Sequence, residues 1–127
     1  MKIKFIQHNT QRYDTAGDYV LKNKEWYFYI SKLSKRRYEW LVTLHEIIEC
    51  YLCYWKGIKE EDIYKFDIKF EKERDYGIWK LEEPGDDVRA PYYKEHQIAT
   101  FFEKIFAKIL LVNWKKYEEE FYKLEYK

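Results

Sequence analysis

The sequence predicts an α+β domain in which N-terminal antiparallel strands, including a hairpin, precede three or four helices. Three observations carry that expectation. The opening "KIKFIQ" alternates in polarity, the period-2 mark of a strand with one buried face. "DYVLKNKEWYFYISKL" holds two β-rich runs on either side of Asn23-Lys24, as in a hairpin from about Tyr19 to Leu33. Beyond Ser34, apolar residues recur at helical spacing instead. A chain of 127 residues suits one domain, and 14 Tyr, 8 Phe and 5 Trp supply apolar area for its core.

Each element has a local reason. Gly17 marks the turn before the hairpin. The first helix is expected to start near Ser34, as N-cap, and to stop at Gly57 in the C′ position. In "KEEDIYKFDIKFEKERDYGIW", Ile63, Phe66 and Phe70 fall at helical spacing while "YKFDIKFE" alternates; the helical reading is preferred. "LEEPGDDVRAPYY" contains both prolines and a Pro-Gly turn, so it is the main loop. A strong helix is expected from about Tyr92 to Val112, and another from Asn113 or Trp114 to near Leu124.

Composition narrows the function classes. The 24 basic and 23 acidic side chains leave a net charge of +1, so no basic excess points to nucleic acid. No run approaches the ~18 apolar residues of a membrane span, and the N-terminus lacks the apolar region of a signal peptide. A cytoplasmic protein without a membrane partner is the expectation. Cys50 and Cys53 are too few and too close to staple a fold. They lie inside a helix rather than at its start, which suits small semi-buried residues better than a redox pair.

The chemistry-bearing stretch is "LHEIIEC". On a wheel of about 100° per residue, Leu41, Leu44, Ile48, Tyr51, Leu52 and Trp55 make an apolar stripe with His45 at its edge. Residues four apart nearly eclipse on a helix, so His45 and Glu49 can converge on one point. That is what a divalent metal asks of an i, i+4 pair, and Glu46 then stands where zinc peptidases keep a general base. A histidine between two acids also arises by chance as a core-edge residue, so a third ligand from elsewhere must complete the set. His96 is the candidate. On its helix Ile98, Phe101, Phe102, Ile105 and Ile109 form the apolar face, while His96 and Glu103 share another face with Ala99 and Ala107. The small residues there would let the first helix approach. The expected ligand set is His45, Glu49 and His96, with Glu46 as base. Glu103 is a fourth ligand or an acid orienting a histidine. Asp86 or Asp87, from the loop cluster "EEPGDD" (Glu82 to Asp87), would close over the site or donate a ligand. The cofactor expected is a divalent metal, zinc first, with the extra negative charge of Glu49 moving preference toward manganese or iron.

These residues resemble a small zincin-like metallopeptidase, in which an HExx[HE] helix is joined by a later ligand-bearing helix. More narrowly, "LHEIIECYLCYWKGI…FD…FE…EPGDD…APYYKEHQIAT…E" looks like a family of short phage and prophage proteins carrying HExxE and APYxxEHxxA segments, over about Leu44 to Glu103. The resemblance implies a shared site and no particular reaction; a phage-encoded chain would act in the host cytoplasm. A metal-dependent hydrolase, with a protein or peptide as substrate, is the leading expectation. One alternative is a Mg-dependent nucleotide pyrophosphatase using Glu46 and Glu49 as an ExxE pair, with Glu103 contributing. The other is a non-enzymatic accessory protein binding a host protein through Trp26, Tyr27 and Tyr29 on an exposed strand face.

Overall fold

A computed structural model describes residues 1–79 and 83–126. It is α+β. Strands β1 (Lys2–Ile6), β2 (Gly17–Lys22) and β3 (Glu25–Ser31) precede helices α1 (Arg36–Trp55), α2 (Glu60–Asp75), α3 (Tyr93–Ile109) and α4 (Trp114–Tyr122). Single 3-10 turns occupy His8–Thr10 and Pro84–Asp86. Glu82, the first acid of "EEPGDD", lies outside the described residues.

The β2–β3 hairpin forms where expected. Asn23 and Lys24 take φ of 49° and 65°, the paired left-handed conformation of a type I′ turn, whose twist matches that of the flanking strands. β1 departs from the expectation of an all-antiparallel sheet. The strand order is β1-β3-β2, and β1 runs parallel to β3. β1 and β2 point in opposite directions, but β3 lies between them, so β1 gains its partner from the far side of the hairpin. Alternation in the sequence marks a strand; it carries no information about direction or order.

α1 starts one residue later than a Ser34 N-cap would place it. Its N-cap is Lys35, and no side chain caps it. Ser34 is engaged elsewhere, its backbone N–H donating to Glu120 of α4 at 2.7 Å. The C-terminus is as expected: Gly57 has φ +76°, and Ile58 N–H reaches back to the Cys53 carbonyl at 2.9 Å in a Schellman closure. The ambiguous stretch after it is the helix α2, with Ile63 and Phe70 buried.

α1 lies between the sheet and α3, and α3 runs antiparallel to it: Arg37 bonds the Leu110 carbonyl, and Lys56 pairs with buried Glu95 at 2.8 Å. This sandwiching revises the wheel. The buried side of α1 carries Tyr38, Leu41, Val42, His45, Glu49, Cys50 and Cys53, whereas Tyr51 and Trp55 are exposed. His45 is therefore inside the packed face and not at its margin. α3 is turned the same way. Ala99 and Ala107 are buried with His96 and Glu103, while Ile98, Phe101, Phe102, Ile105 and Ile109 face outward. Short side chains win the interface because only they allow two backbones to come close enough for the polar groups between them to bond. Tyr117 of α4, fully buried, closes the far side against Tyr38.

Trp26 is not on the outer strand face. It packs inward on Tyr19 and Tyr54, as strand alternation with Phe28 and Ile30 requires, while Tyr27 and Tyr29 stack on the opposite side. No described helix is long and apolar enough to cross a membrane.

Because Ala99 has no exposed surface, Ala99→Leu has nowhere to put its added carbons. It should lower stability by about 1–3 kcal/mol in urea unfolding, while Ile98→Ala on the exposed side should cost less than half as much.

Candidate metal centre

Three ligand-type atoms meet where α1 crosses α3. His45 Nε2 lies 3.1 Å from Glu49 Oε2 and 3.2 Å from His96 Nδ1, and His96 Nδ1 lies 2.9 Å from the same Glu49 oxygen. All three residues are buried. Three donors bound to one zinc ion at ~2.0–2.2 Å in a tetrahedral array stand roughly 3.3–3.5 Å apart, so this near-equilateral triangle is close to that size.

The surroundings decide which atoms face inward. Glu103 Oε1 accepts from His45 Nδ1 at 2.7 Å, which leaves the Nε2 lone pair of a neutral ring directed at the triangle. Tyr117 in turn donates to Glu103 Oε2 at 2.6 Å. Tyr19 of β2 donates to Glu49 Oε1 at 2.9 Å, so Oε2 is the oxygen left for the triangle. Without a cation, the three atoms can be reconciled only by putting protons on both rings, side by side. A single cation satisfies all three lone pairs at once.

The electrostatics agree. Burial opposes charge on His45, yet bonds to Glu103 and Glu49 push its pKa well above the ordinary histidine value. His96 is raised likewise against its burial, through Asp86, Glu49 and Glu83. Glu49 stays ionised despite burial, its carboxyl held at about 2 by the two imidazoles. The surrounding carboxylates thus favour the charged forms of both histidines, so any cation at the triangle would have to displace protons there.

Glu46 lines the same cleft, a cavity of about 420 Å³. Its carboxylate makes no hydrogen bond to a described residue. Burial and the neighbouring Glu49 raise its pKa well above the usual carboxyl range. Gly17, the first residue of β2, explains how the strand passes so near: a Cβ there would stand 2.6 Å from Glu46 Cγ. At the floor, Asp67 of α2 accepts from Tyr13 and Tyr92, and burial lifts its pKa to about 7.

The expected residues separate as follows. His45, Glu49 and His96 are brought together. Glu103 holds the outer nitrogen of His45 and does not face the triangle. Asp86 approaches the other side of His96, its Oδ1 3.4 Å from Nε2. Asp87 does not join: Arg89 takes its carboxylate at 2.6 Å, and the side chain serves the loop. Cys50 and Cys53 are buried free thiols, with burial pushing Cys53 up to about 12, far from a reactive thiolate. Tyr19, Tyr117 and Asp67 escaped the sequence reading. Tyrosines are too common here to stand out, and only the folded chain shows whose carboxylate each one meets.

Comparison with models of known protein families, with curated proteins and with solved structures returns no match to this chain.

Proposed function

We propose that this protein is a metal-dependent hydrolase with a zincin-like division of labour between a ligand helix and a base on the same helix. The observation that carries the reading is the triangle of His45 Nε2, Glu49 Oε2 and His96 Nδ1, each 2.9–3.2 Å from the others. Two imidazoles and one carboxylate are the His₂Glu donor set of catalytic zinc, which leaves a position for water or substrate. When bound, such an ion polarises a carbonyl and lowers the pKa of water toward about 7.

The chain's own residues do the rest. His45 is fixed in one tautomer by Glu103 and Tyr117, and Glu49 is fixed by Tyr19. Glu46 stands unbonded on the cleft wall, able to take a proton from an attacking water and pass it to the leaving group. Burial and the neighbouring Glu49 shift its pKa upward from the ordinary carboxyl value, the direction in which a carboxylate becomes a stronger base. The substrate class that suits this chemistry is an amide or ester, with a peptide as the first candidate. The pyrophosphatase alternative is less well served: Mg prefers an oxygen cage, and here Glu49 faces two nitrogens while Glu103 is engaged by His45 and Tyr117.

Elemental analysis of untagged protein purified without chelator should find zinc, manganese or iron near one equivalent. His45→Ala and His96→Ala should each weaken uptake by more than the ~10–100-fold typical of losing an outer partner, and Glu103→Gln by about that amount. Folded variants that carry as much metal as the parent would sink the reading. Glu46→Gln should keep the metal and lose on the order of 10²–10⁴ in the hydrolysis rate of a peptide library.

The raised histidines also set a pH dependence. Imidazolium pairs stabilise the metal-free fold fully below the unfolded histidine pKa of about 6.5, and that support is lost as pH rises through the higher folded values. A metal must displace the same protons. The increase in melting temperature on adding Zn²⁺ should therefore be larger at pH 8.5 than at pH 6, and a flat or inverted trend would count against His45 and His96 as ligands.

A further inference from the structure

His96 has a second face. Its Nδ1 belongs to the triangle, but its Nε2 is the one fully buried side-chain nitrogen or oxygen among the described residues with no hydrogen-bond partner. A buried nitrogen without a hydrogen bond is costly, so it calls for an explanation. Two carboxylates stand in front of it: Asp86 Oδ1 at 3.4 Å and Glu83 Oε2 at 3.5 Å, neither meeting hydrogen-bond geometry. Asp86 is oriented by Gln97 Nε2 at 3.0 Å. Neither acid pairs with a lysine or arginine among the described residues. The 3-10 turn Pro84–Asp86, which holds Asp86 and follows directly on Glu83, lies on the His96 ring, because Gly85 has no side chain to hold it off; a Cβ there would overlap the ring.

We propose that Glu83, Asp86 and His96 Nε2 form a second divalent-cation site at the mouth of the cleft, joined to the inner one through the His96 ring. The proposal rests on the reading of His45, Glu49 and His96 as the inner metal site. Ligand atoms from all three outer residues lie within 4.8 Å of one another, and the buried nitrogen has an oxygen of each acid within 3.5 Å. The donor set is one nitrogen and two carboxylates, one oxygen donor richer and one nitrogen poorer than the inner set, so it suits borderline dications such as zinc and leans further toward harder ones such as manganese. The outer site is the weaker of the two for two reasons. Glu83 and Asp86 are about half exposed, so solvent competes for their charge. To hold both ions at once, the ring must also surrender its remaining proton and serve as an imidazolate. Filling of the outer site therefore follows filling of the inner one. The arrangement gives the ring two roles, as ligand to the inner ion and as an electronic bridge to the outer.

Metal stoichiometry tests this in the intact chain. Zn²⁺ titrated into metal-free protein at pH 8, followed by calorimetry and elemental analysis, should reveal two equivalents, the second at least ten-fold weaker. The double variant Glu83→Gln/Asp86→Asn, whose exposed positions leave the circular dichroism spectrum unchanged, should bind one equivalent with the tighter constant within a few-fold of the parent's. Loading with two equivalents of Cu²⁺ should broaden and diminish the mononuclear paramagnetic resonance signal through the shared ring, and the double variant should restore it. One equivalent in the parent overturns the outer site and leaves the inner one standing, and no binding at all overturns both. Two equivalents in the double variant, or two uncoupled copper signals, would also refute the shared site.

Discussion

The structure depends on one costly juxtaposition: two histidines and two glutamates are taken out of water together between α1 and α3. A lone buried carboxylate or imidazolium is strongly disfavoured, so each must be given partners. The chain supplies them in a line, Tyr117 to Glu103 to His45 on one side and Tyr19 to Glu49 on the other. Those hydroxyls come from α4 and from β2. The demand for satisfied polar groups in the middle therefore dictates where the outermost elements must sit. Ala99 and Ala107 matter for the same reason, since bulkier residues would part the helices and break every bond in the line.

The surrounding cleft is arranged around that centre. β2 reaches it through Gly17, the loop before α3 reaches it through Gly85, and α2 contributes Asp67 from below. Each approach uses either an absent side chain or a tyrosine hydroxyl. Helices carry His45, Glu49 and His96, while the two acids at the mouth sit on a short turn and the residue before it. That contrast is the usual one between a positioned centre and an adaptable rim.

Much of this was legible in the chain itself. The spacing of His45 and Glu49 states a helix pair, and the Asn23-Lys24 hairpin and the Gly57 stop are local signals that need no tertiary information. His96 and Glu103 could be matched to the first helix because Ala99 and Ala107 lie beside them. What failed was the assumption that the most apolar arc of a helix faces the core. In α3, Phe101 and Ile109 are exposed while a histidine and a glutamate are buried. A hydrophobic wheel weighs transfer from water alone; it has no term for polar groups satisfied across an interface. Ser34 misled for a similar reason, since its hydroxyl donates to Glu120, a residue distant in sequence. The parallel run of β1 was out of reach because pairing partners are a property of the assembled sheet.

The Tyr117–Glu103–His45 line also bears on how the molecule matures. The histidine on α1 is among the earlier parts of the chain to emerge during synthesis, whereas the hydroxyl that ultimately steadies it lies on the last helix. A nascent chain holding only the sheet and α1 presents His45 and Glu49 as a bare helical pair, too few donors to retain an ion. Long-range closure must come first, and loops of this separation close late. The proposed donor triangle is thus completed only when α3 docks on α1, after the sheet and α1 have been made.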